Sequence, residues 1–401
     1  MKILVINAGS SSLKYQLINM QDNKILAKGI CDRIALKDSA LIHKANGKEY
    51  IFKQDMPNHT VAVKMVLDSL VSKECGVIDS MDEVSAVGHR VVHGAEDYSS
   101  SVLIDGDVLA CCQANNELAP LHNPANISGI KACQAVMPNT PMVAVFDTAF
   151  HSTMPQEAYL YGISYEDYKK YRIRKYGFHG TSHMFVSKEA AKYVGKDSKD
   201  LKIVTCHLGN GSSIAAVKGG RSVETSMGFT PLDGLPMGTR SGSLDPAIVE
   251  FLMSKTGKTI KEVLNHLNKE CGVLGLSGNS SDFRDLTEGG ALEHENNKRA
   301  VDVFSYRVKK YIGEYSAVMN GLDIIVFTAG IGENTPYVRE KACEELDYLG
   351  VKIEKEKNEN CKRGVITDIS TPSSKVRVLV IPTNEELVIA TETQRVVSGA
   401  K

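Results

Sequence analysis

The chain has 401 residues, 42% of them hydrophobic, and sets 47 basic against 48 acidic side chains. That length allows two or three domains with real cores, and the balanced charge makes no field that would recruit nucleic acid or a membrane surface. Nine scattered cysteines without a Cys-x-x-Cys pair indicate neither a disulfide framework nor a zinc site. The apolar start is too brief for a signal peptide and no run approaches the ~18 residues that span a bilayer, so a cytoplasmic globular protein is expected.

The chain opens on an apolar, β-rich run, Ile3 to Ile6, which breaks into a small polar turn, Asn7 to Ser12, and resumes as a strand through Leu17. Residues 24 to 53 alternate as further strands, with a turn at Asn46-Gly47. A helix is expected from His59 to Glu74, followed by a buried strand from Val84 running into Gly88-His89-Arg90. Pro120 to Ile127 reads as a loop leading to a short helix that ends near Val136. Met142 to Phe146 is a buried strand that delivers Asp147 at its carboxyl end, the edge where open α/β sheets bind ligands. Asp147 there is either a site acid or a structural cap.

A Tyr-rich crossing from 151 to 175 leads to a turn over Tyr176 to His183 and a helix from Met184 to about Tyr193. Residues Ile203 to Val217 then repeat the opening hairpin, with His207-Leu208-Gly209-Asn210-Gly211 as its turn. Two such hairpins, each opening a half of the chain, suggest a duplicated domain that clamps nucleotide phosphates with closely spaced N–H and hydroxyl donors. Gly228 to Asp245, rich in Gly and Pro, is a long loop of the functional kind. A long amphipathic helix from Asn297 to Met319 stops at Asn320-Gly321. A buried strand, Ile324 to Phe327, runs into Thr328 to Asn334 and a helix; last come a strand, Val376 to Ile381, and a helix opening at Asn384-Glu385-Glu386 whose partner the sequence does not reveal. Strands alternating with helices make this an α/β protein.

No Gly-x-x-x-x-Gly-Lys-Ser/Thr is present, so phosphate handling falls to the hairpin turns. His89/His93 and His179/His183 have helical metal spacing but lack the Glu of His-Glu-x-x-His and lie beside turn glycines. Arg90, directly after an apolar strand, and Arg240, inside the Gly-rich loop, suit a carboxylate and a transferring phosphoryl group.

Asn7-Ala-Gly-Ser-Ser-Ser-Leu-Lys14, Gly88-His-Arg-Val-Val-His-Gly94, Phe146-Asp-Thr-Ala-Phe-His151, Tyr176-Gly-Phe-His-Gly-Thr-Ser-His183, His207-Leu-Gly-Asn-Gly211, Thr225-Ser-Met-Gly-Phe-Thr-Pro-Leu232, Met237-Gly-Thr-Arg-Ser-Gly242 and Phe327-Thr-Ala-Gly-Ile-Gly-Glu-Asn334 together resemble the acetate kinase family, colinearly from Lys2 to about Thr393. The resemblance implies a duplicated actin-like (ribonuclease H-like) fold of two domains, 1–150 with a returning helix at 384–398, and 151–383 as nucleotide-binding and dimerisation domain. It implies reversible transfer of the ATP γ-phosphoryl to acetate, giving acetyl phosphate and ADP, with Mg²⁺, or Mn²⁺ in its place, in a homodimer. Propionate or another short acid is the alternative acceptor, and a non-catalytic nucleotide-driven switch is the rival from another class.

By the same resemblance Asn7 and Glu385 position the metal, with Glu386 an alternative to Glu385, and Ser10, Ser12 and Lys14 face the phosphates. His207, Leu208, Gly209, Asn210 and Gly211 hold the phosphates, while Asp282, Phe283 and Arg284 with Gly330, Ile331, Gly332, Glu333 and Asn334 meet the adenosine. Arg90, Arg240 and His179 surround the moving phosphoryl group and Asp147 is the essential acid, orienting an arginine or the metal's water rather than acting as a base. Val92, Leu121, Phe178 and Pro231 form the pocket for the acid's methyl group. Asp233, Pro236 and Ser243 depart from the family's usual Glu, larger apolar residue and Asp, all within the loop that carries Arg240.

Overall fold

The computed structural model describes residues 1–119 and 122–399. The chain divides into two compact units, Met1–Ala149 with Asn384–Lys401, and Phe150–Thr383.

The first unit is built on strands β1 (Lys2–Ala8), β2 (Ser12–Asn19), β3 (Lys24–Asp32), β4 (Ala40–Ala45), β5 (Lys48–Lys53), β6 (Val84–Val91), β7 (Val102–Leu103) and β8 (Met142–Phe146). Their order in the sheet is β5-β4-β3-β2-β1-β6-β8-β7, with β1, β6 and β8 parallel and the rest antiparallel. β1 is apolar without alternation because both of its faces are covered. Leu4 and Ile6 join a core with Val63, Val66 and Leu67 of the helix His59–Leu70 and with Ala132 and Cys133 of the helix Asn123–Val136. Ile3 and Val5 face the other way, onto Ile389 and Ala390 of the C-terminal helix Glu385–Val397. That helix is the cover the sequence left without a partner. It approaches β6 so closely that a Cβ on Gly88 would lie 2.3 Å from Thr393 Oγ1.

The second unit repeats the plan with β9 (Lys202–Leu208), β10 (Ser212–Lys218), β11 (Arg221–Thr225), β12 (Ile324–Thr328), β13 (Thr367–Asp368) and β14 (Arg377–Val380) in the order β11-β10-β9-β12-β14-β13. β9, β12 and β14 are parallel, as β1, β6 and β8 are in the first unit. The helix Glu295–Met319 covers one face through Phe304, Val308 and Ile312, and the helix Gly180–Val194 the other through Val186 and Ala190. Each sheet therefore carries an equivalent hairpin turn at the end of its first strand, at 9–11 and at 209–211. Two mixed sheets flanked by helices, with one strand order used twice, make the duplicated α/β fold expected from the doubled hairpin.

Several boundaries differ from expectation. The helix that follows the Pro-rich stretch begins at Asn123, inside the expected loop, because Pro124 stands in its first turn, where a missing N–H costs nothing. The helix expected from Met184 begins at Gly180, and Ala329–Asn334 is itself a short helix. The first helix stops at Leu70, four residues early. Between β11 and the helix Ala247–Thr256 no regular element forms, as the Gly-rich composition requires. Among the described residues no helix is long and apolar enough to cross a membrane.

Candidate active site

In the first unit the parallel register of β6 and β8 sets Arg90 opposite Val145 and Val91 opposite Phe146, so Asp147 emerges one step beyond. Arg90 donates from Nε to Asp147 Oδ1 at 3.1 Å and from Nη2 to Oδ2 at 2.5 Å, and its Nη1 reaches Asn7 Oδ1 at 3.4 Å. The carboxylate side chain is 1% exposed and the guanidinium side chain 21%. Burial opposes the arginine's charge, but Asp147, with Glu385 and Glu386 beyond it, outweighs burial and holds the guanidinium pKa above its ordinary value. Both acids lie in the first turn of the helix Glu385–Val397, capped by the Asn384 side chain, which accepts from Leu387 N. They sit where the helix dipole favours negative charge.

Lys14 stands across the hairpin from Asn7, and Gly9 N donates to Ser12 O at 2.7 Å to close the turn that bears Ser10. Val92 is buried and fixed through its N–H, which donates to Asn126 Oδ1; Asn126 Nδ2 in turn donates to Ala8 O. Asn123 Oδ1 accepts from His93 N in the same way. Asn123 and Asn126 fix the backbone of Val92 and His93, and their only signal in the sequence is two asparagines three apart in a stretch that reads as a loop. Leu121 lies outside the described residues.

In the second unit three distant segments converge on one cavity of about 570 Å³. Gly209 and Asn210 of the hairpin turn, Asp282, Phe283 and Arg284, and Gly330, Ile331, Glu333 and Asn334 all line it. Ser281, Thr287, Glu288, Thr335 and Arg363 line it too and were not foreseen. Thr287 lies one helical turn beyond Phe283, whereas nothing in the sequence marks the exposed Arg363. His207, Leu208, Gly211 and Gly332 do not line the cavity: Leu208 packs in the core and Gly332 O accepts from the buried guanidinium of Arg339 at 2.8 Å. Asp282 accepts from the backbone N–H and the guanidinium of Arg284, which lowers the carboxyl pKa.

The Gly-rich loop docks on the same hairpin turn. Gly238 N donates to Asn210 O at 3.0 Å, and a Cβ on Gly238 would lie 1.8 Å from Asn210 Oδ1, so any larger residue must displace the Asn210 side chain. A Cβ on Gly211 would lie 3.5 Å from Arg240 Nη1 and 3.6 Å from His179 Nε2, which brings the turn, Arg240 and His179 together. Arg240 is half-buried, donates to Pro231 O at 3.3 Å and, among the described residues, has no carboxylate partner. Burial lowers its pKa. A guanidinium held out of water without an acid is a site for an anion.

His179 caps the helix Gly180–Val194 in the left-handed region, φ 56°, and its ring stacks on His207 with centroids 4.2 Å apart. The expected turn is helical here because Ser182 and His183 bond to β-strand side chains: His207 Nδ1 lies 2.8 Å from Ser182 Oγ, and His183 Nδ1 2.7 Å from Thr205 Oγ1. Phe178 is buried, its carbonyl 2.9 Å from His151 Nε2. Two of the unusual loop residues are joined: Ser243 Oγ donates to Asp233 Oδ1, whose other oxygen accepts from Tyr161 at 3.1 Å. Pro236 is buried in the loop that this pair closes.

Comparison with known proteins agrees with this geometry. The family model described as the acetokinase family matches residues 2–391. A curated acetate kinase of Thermoanaerobacterium thermosaccharolyticum is 60% identical over 402 residues, covering 100% of both chains. The crystal structure of Porphyromonas gingivalis acetate kinase is 44% identical, with a TM-score of 0.94 over 99% of each chain. A propionate kinase from Francisella tularensis is 43% identical, with a TM-score of 0.91 over 98% of this chain and 99% of its own. The chain belongs to the acetokinase family.

Proposed function

We propose that this protein is an ATP-dependent acetate kinase that moves the γ-phosphoryl group of ATP directly to the carboxylate of acetate, reversibly, giving acetyl phosphate and ADP. The observation that carries the reading is Arg240, a half-buried guanidinium without an acid among the described residues, set beside His179 and a phosphate-type turn in a chain 60% identical throughout to a curated acetate kinase.

The roles follow from charge. A carboxylate is already a nucleophile at neutral pH, so positioning and charge neutralisation do the work. Arg90, fixed by Asp147, orients the acid's carboxylate, and Asp147 spends both oxygens on that arginine instead of removing a proton. Arg240 and His179 neutralise the moving phosphoryl group. The cavity of about 570 Å³ takes the adenosine, while Gly209 to Gly211, Ser10, Ser12 and Lys14 donate to phosphate oxygens. Val92 in the first unit, and Phe178 and Pro231 in the second, are the apolar residues we assign to the acid's methyl group.

Asn7 and Glu385 suit a divalent ion. Among the described residues no three His, Cys, Asp or Glu form a metal cage, and an amide oxygen with one carboxylate at a helix start is the sparse oxygen set that Mg²⁺ uses when phosphates and waters complete its shell. When bound, that ion neutralises phosphate charge.

The Francisella tularensis propionate kinase favours propionate as a second reading. One methylene in an apolar pocket is worth only about 1–3 kcal/mol, so both acids should react. The helix Ala247–Thr256 buries none of its residues, with Phe251 61% and Ile248 43% exposed, which supports a homodimer through the second unit. Cysteines that form no disulfide among the described residues suit the cytoplasm.

The test is ADP release from Mg·ATP with acetate, propionate, butyrate or no acid. Acid-dependent release, with the highest kcat/KM for acetate, is expected. Preference for propionate would change the substrate; nucleotide binding with acid-independent hydrolysis, or none, would make the fold a switch. Inversion at phosphorus with chiral [γ-¹⁶O,¹⁷O,¹⁸O]ATP is the expected mark of direct transfer, and retention that of a phosphoenzyme.

A further inference from the structure

His179 is the end of a buried hydrogen-bond chain. Its Nδ1 lies 2.8 Å from Ser213 Oγ, and the same oxygen lies 2.8 Å from His183 Nε2. His183 Nδ1 is 2.7 Å from Thr205 Oγ1, which also reaches Ala215 O at 3.4 Å. Ser213, His183 and Thr205 are all fully buried, so water does not compete for these bonds.

A serine hydroxyl has one proton, and the two rings are the hydrogen-bond partners of Ser213. If that proton points to His183 Nε2, the His183 proton is on Nδ1 and is donated to Thr205, and the Thr205 proton goes to Ala215 O. His179 then donates Nδ1–H to Ser213, and every member is satisfied. If the chain runs the other way, Thr205 must donate to His183 and its contact with Ala215 is lost. The first arrangement makes one more bond in a site where an unmade bond is costly. Burial, with His151 and His207 nearby, pushes the His183 pKa well down, so that ring stays neutral, with one donor and one acceptor nitrogen.

We propose that Ser213 and His183 are positioning residues that lock the proton of neutral His179 on Nδ1, leaving Nε2 as the atom that takes up a proton and presents it to the phosphoryl group. The inference rests on the reading of His179 as a group that meets that phosphoryl. The proton comes from solvent, stays on nitrogen during transfer and returns to solvent; no bond to phosphorus forms. Groups facing the ring include His183 from its own helix, His207 stacked from β9, and Arg240 from the Gly-rich loop, whose Nη1 and the His179 Nε2 both flank Gly211.

The test is ¹⁵N NMR of histidine-labelled full-length protein, with His179 assigned by its loss in His179→Gln. Neutral His179 should show the Nδ1–H tautomer; the Nε2–H tautomer in wild type would overturn the proposal without any variant. In Ser213→Ala the tautomer should become mixed and kcat fall about tenfold, the scale of one lost hydrogen bond in a transition state. KM for ATP and acetate should stay within about twofold. Ser213→Thr should restore both tautomer and kcat. Wild-type tautomer and kcat in Ser213→Ala would overturn the positioning role. Wild-type kcat in His179→Gln would instead remove His179 from the phosphoryl site, while the tautomer spectrum would still decide the chain.

Discussion

Arg90 and Asp147 form a two-pronged ion pair across the ends of adjacent parallel strands, Nε to Oδ1 and Nη2 to Oδ2. A carboxylate 1% exposed and committed on both oxygens is a holder of the arginine. Asp147→Asn keeps the shape and loses the charge and one acceptor. It should lower kcat by about 10²-fold or more, as loss of a fixed electrostatic group does, with KM for ATP little changed. Steady-state kinetics in both substrates decide; a variant at wild-type rate would remove Asp147 from the mechanism.

Arg240 lacks what Arg90 has, and the two alanine variants should differ in stability. Arg90→Ala strands a buried carboxylate, costing about 3–5 kcal/mol. Arg240→Ala removes a desolvated charge that no acid among the described residues offsets, so stability should stay within about 1 kcal/mol of wild type while kcat falls about 10²- to 10³-fold. Urea unfolding beside kinetics tests this. Equal destabilisation of both would mean that Arg240 has a structural partner.

Gly238 is where the Gly-rich loop meets the hairpin turn. A Cβ would stand 1.8 Å from Asn210 Oδ1, so Gly238→Ala must displace Asn210 or the loop with Arg240. KM for ATP should rise and kcat fall together, by about tenfold or more, since misplacement near 1 Å can cost about 10²-fold. Gly106→Ala, where a Cβ meets open space and the backbone is not left-handed, is the control and should leave kinetics unchanged.

Buried histidines give stability a pH dependence. Burial lowers His89 to about 3, His93 to about 4 and His183 well below the ordinary value of 6.5. The unfolded chain therefore binds these protons more readily, so their stabilising effect is complete above pH 6.5 and is lost as pH falls towards 4. Each contributes a slope of about 1.4 kcal/mol per pH unit in that window. Urea midpoints from pH 7 to 5 should fall steeply, and His89→Gln should flatten the slope. A flat profile would contradict neutral buried rings.

Much of the fold was legible because the central strands β1 and β9 are apolar without alternation and end in matching turns, so one pattern announced the sheet twice. Asp147 was legible because a five-residue apolar strand ends at it. The helix starting at Gly180 was not, since local Gly, Thr and Ser favour a turn, and the bonds of Ser182 and His183 to β9 and β10 are long-range. The Asp233–Ser243 contact joins residues ten apart in a loop without periodicity. Arg363 reaches the cavity from an exposed segment that carries no motif.

The central claim is that the two differently held arginines serve one transfer to a carboxylate. Trapping acyl phosphate with hydroxylamine tests it most directly, using Mg·ATP and acetate with wild type, Arg90→Ala and Arg240→Ala, and nucleotide binding measured alongside. The account predicts acetyl hydroxamate from wild type, weaker product with propionate, and loss in both variants while ATP still binds. No hydroxamate from wild type that binds ATP, or full product from either variant, would contradict it.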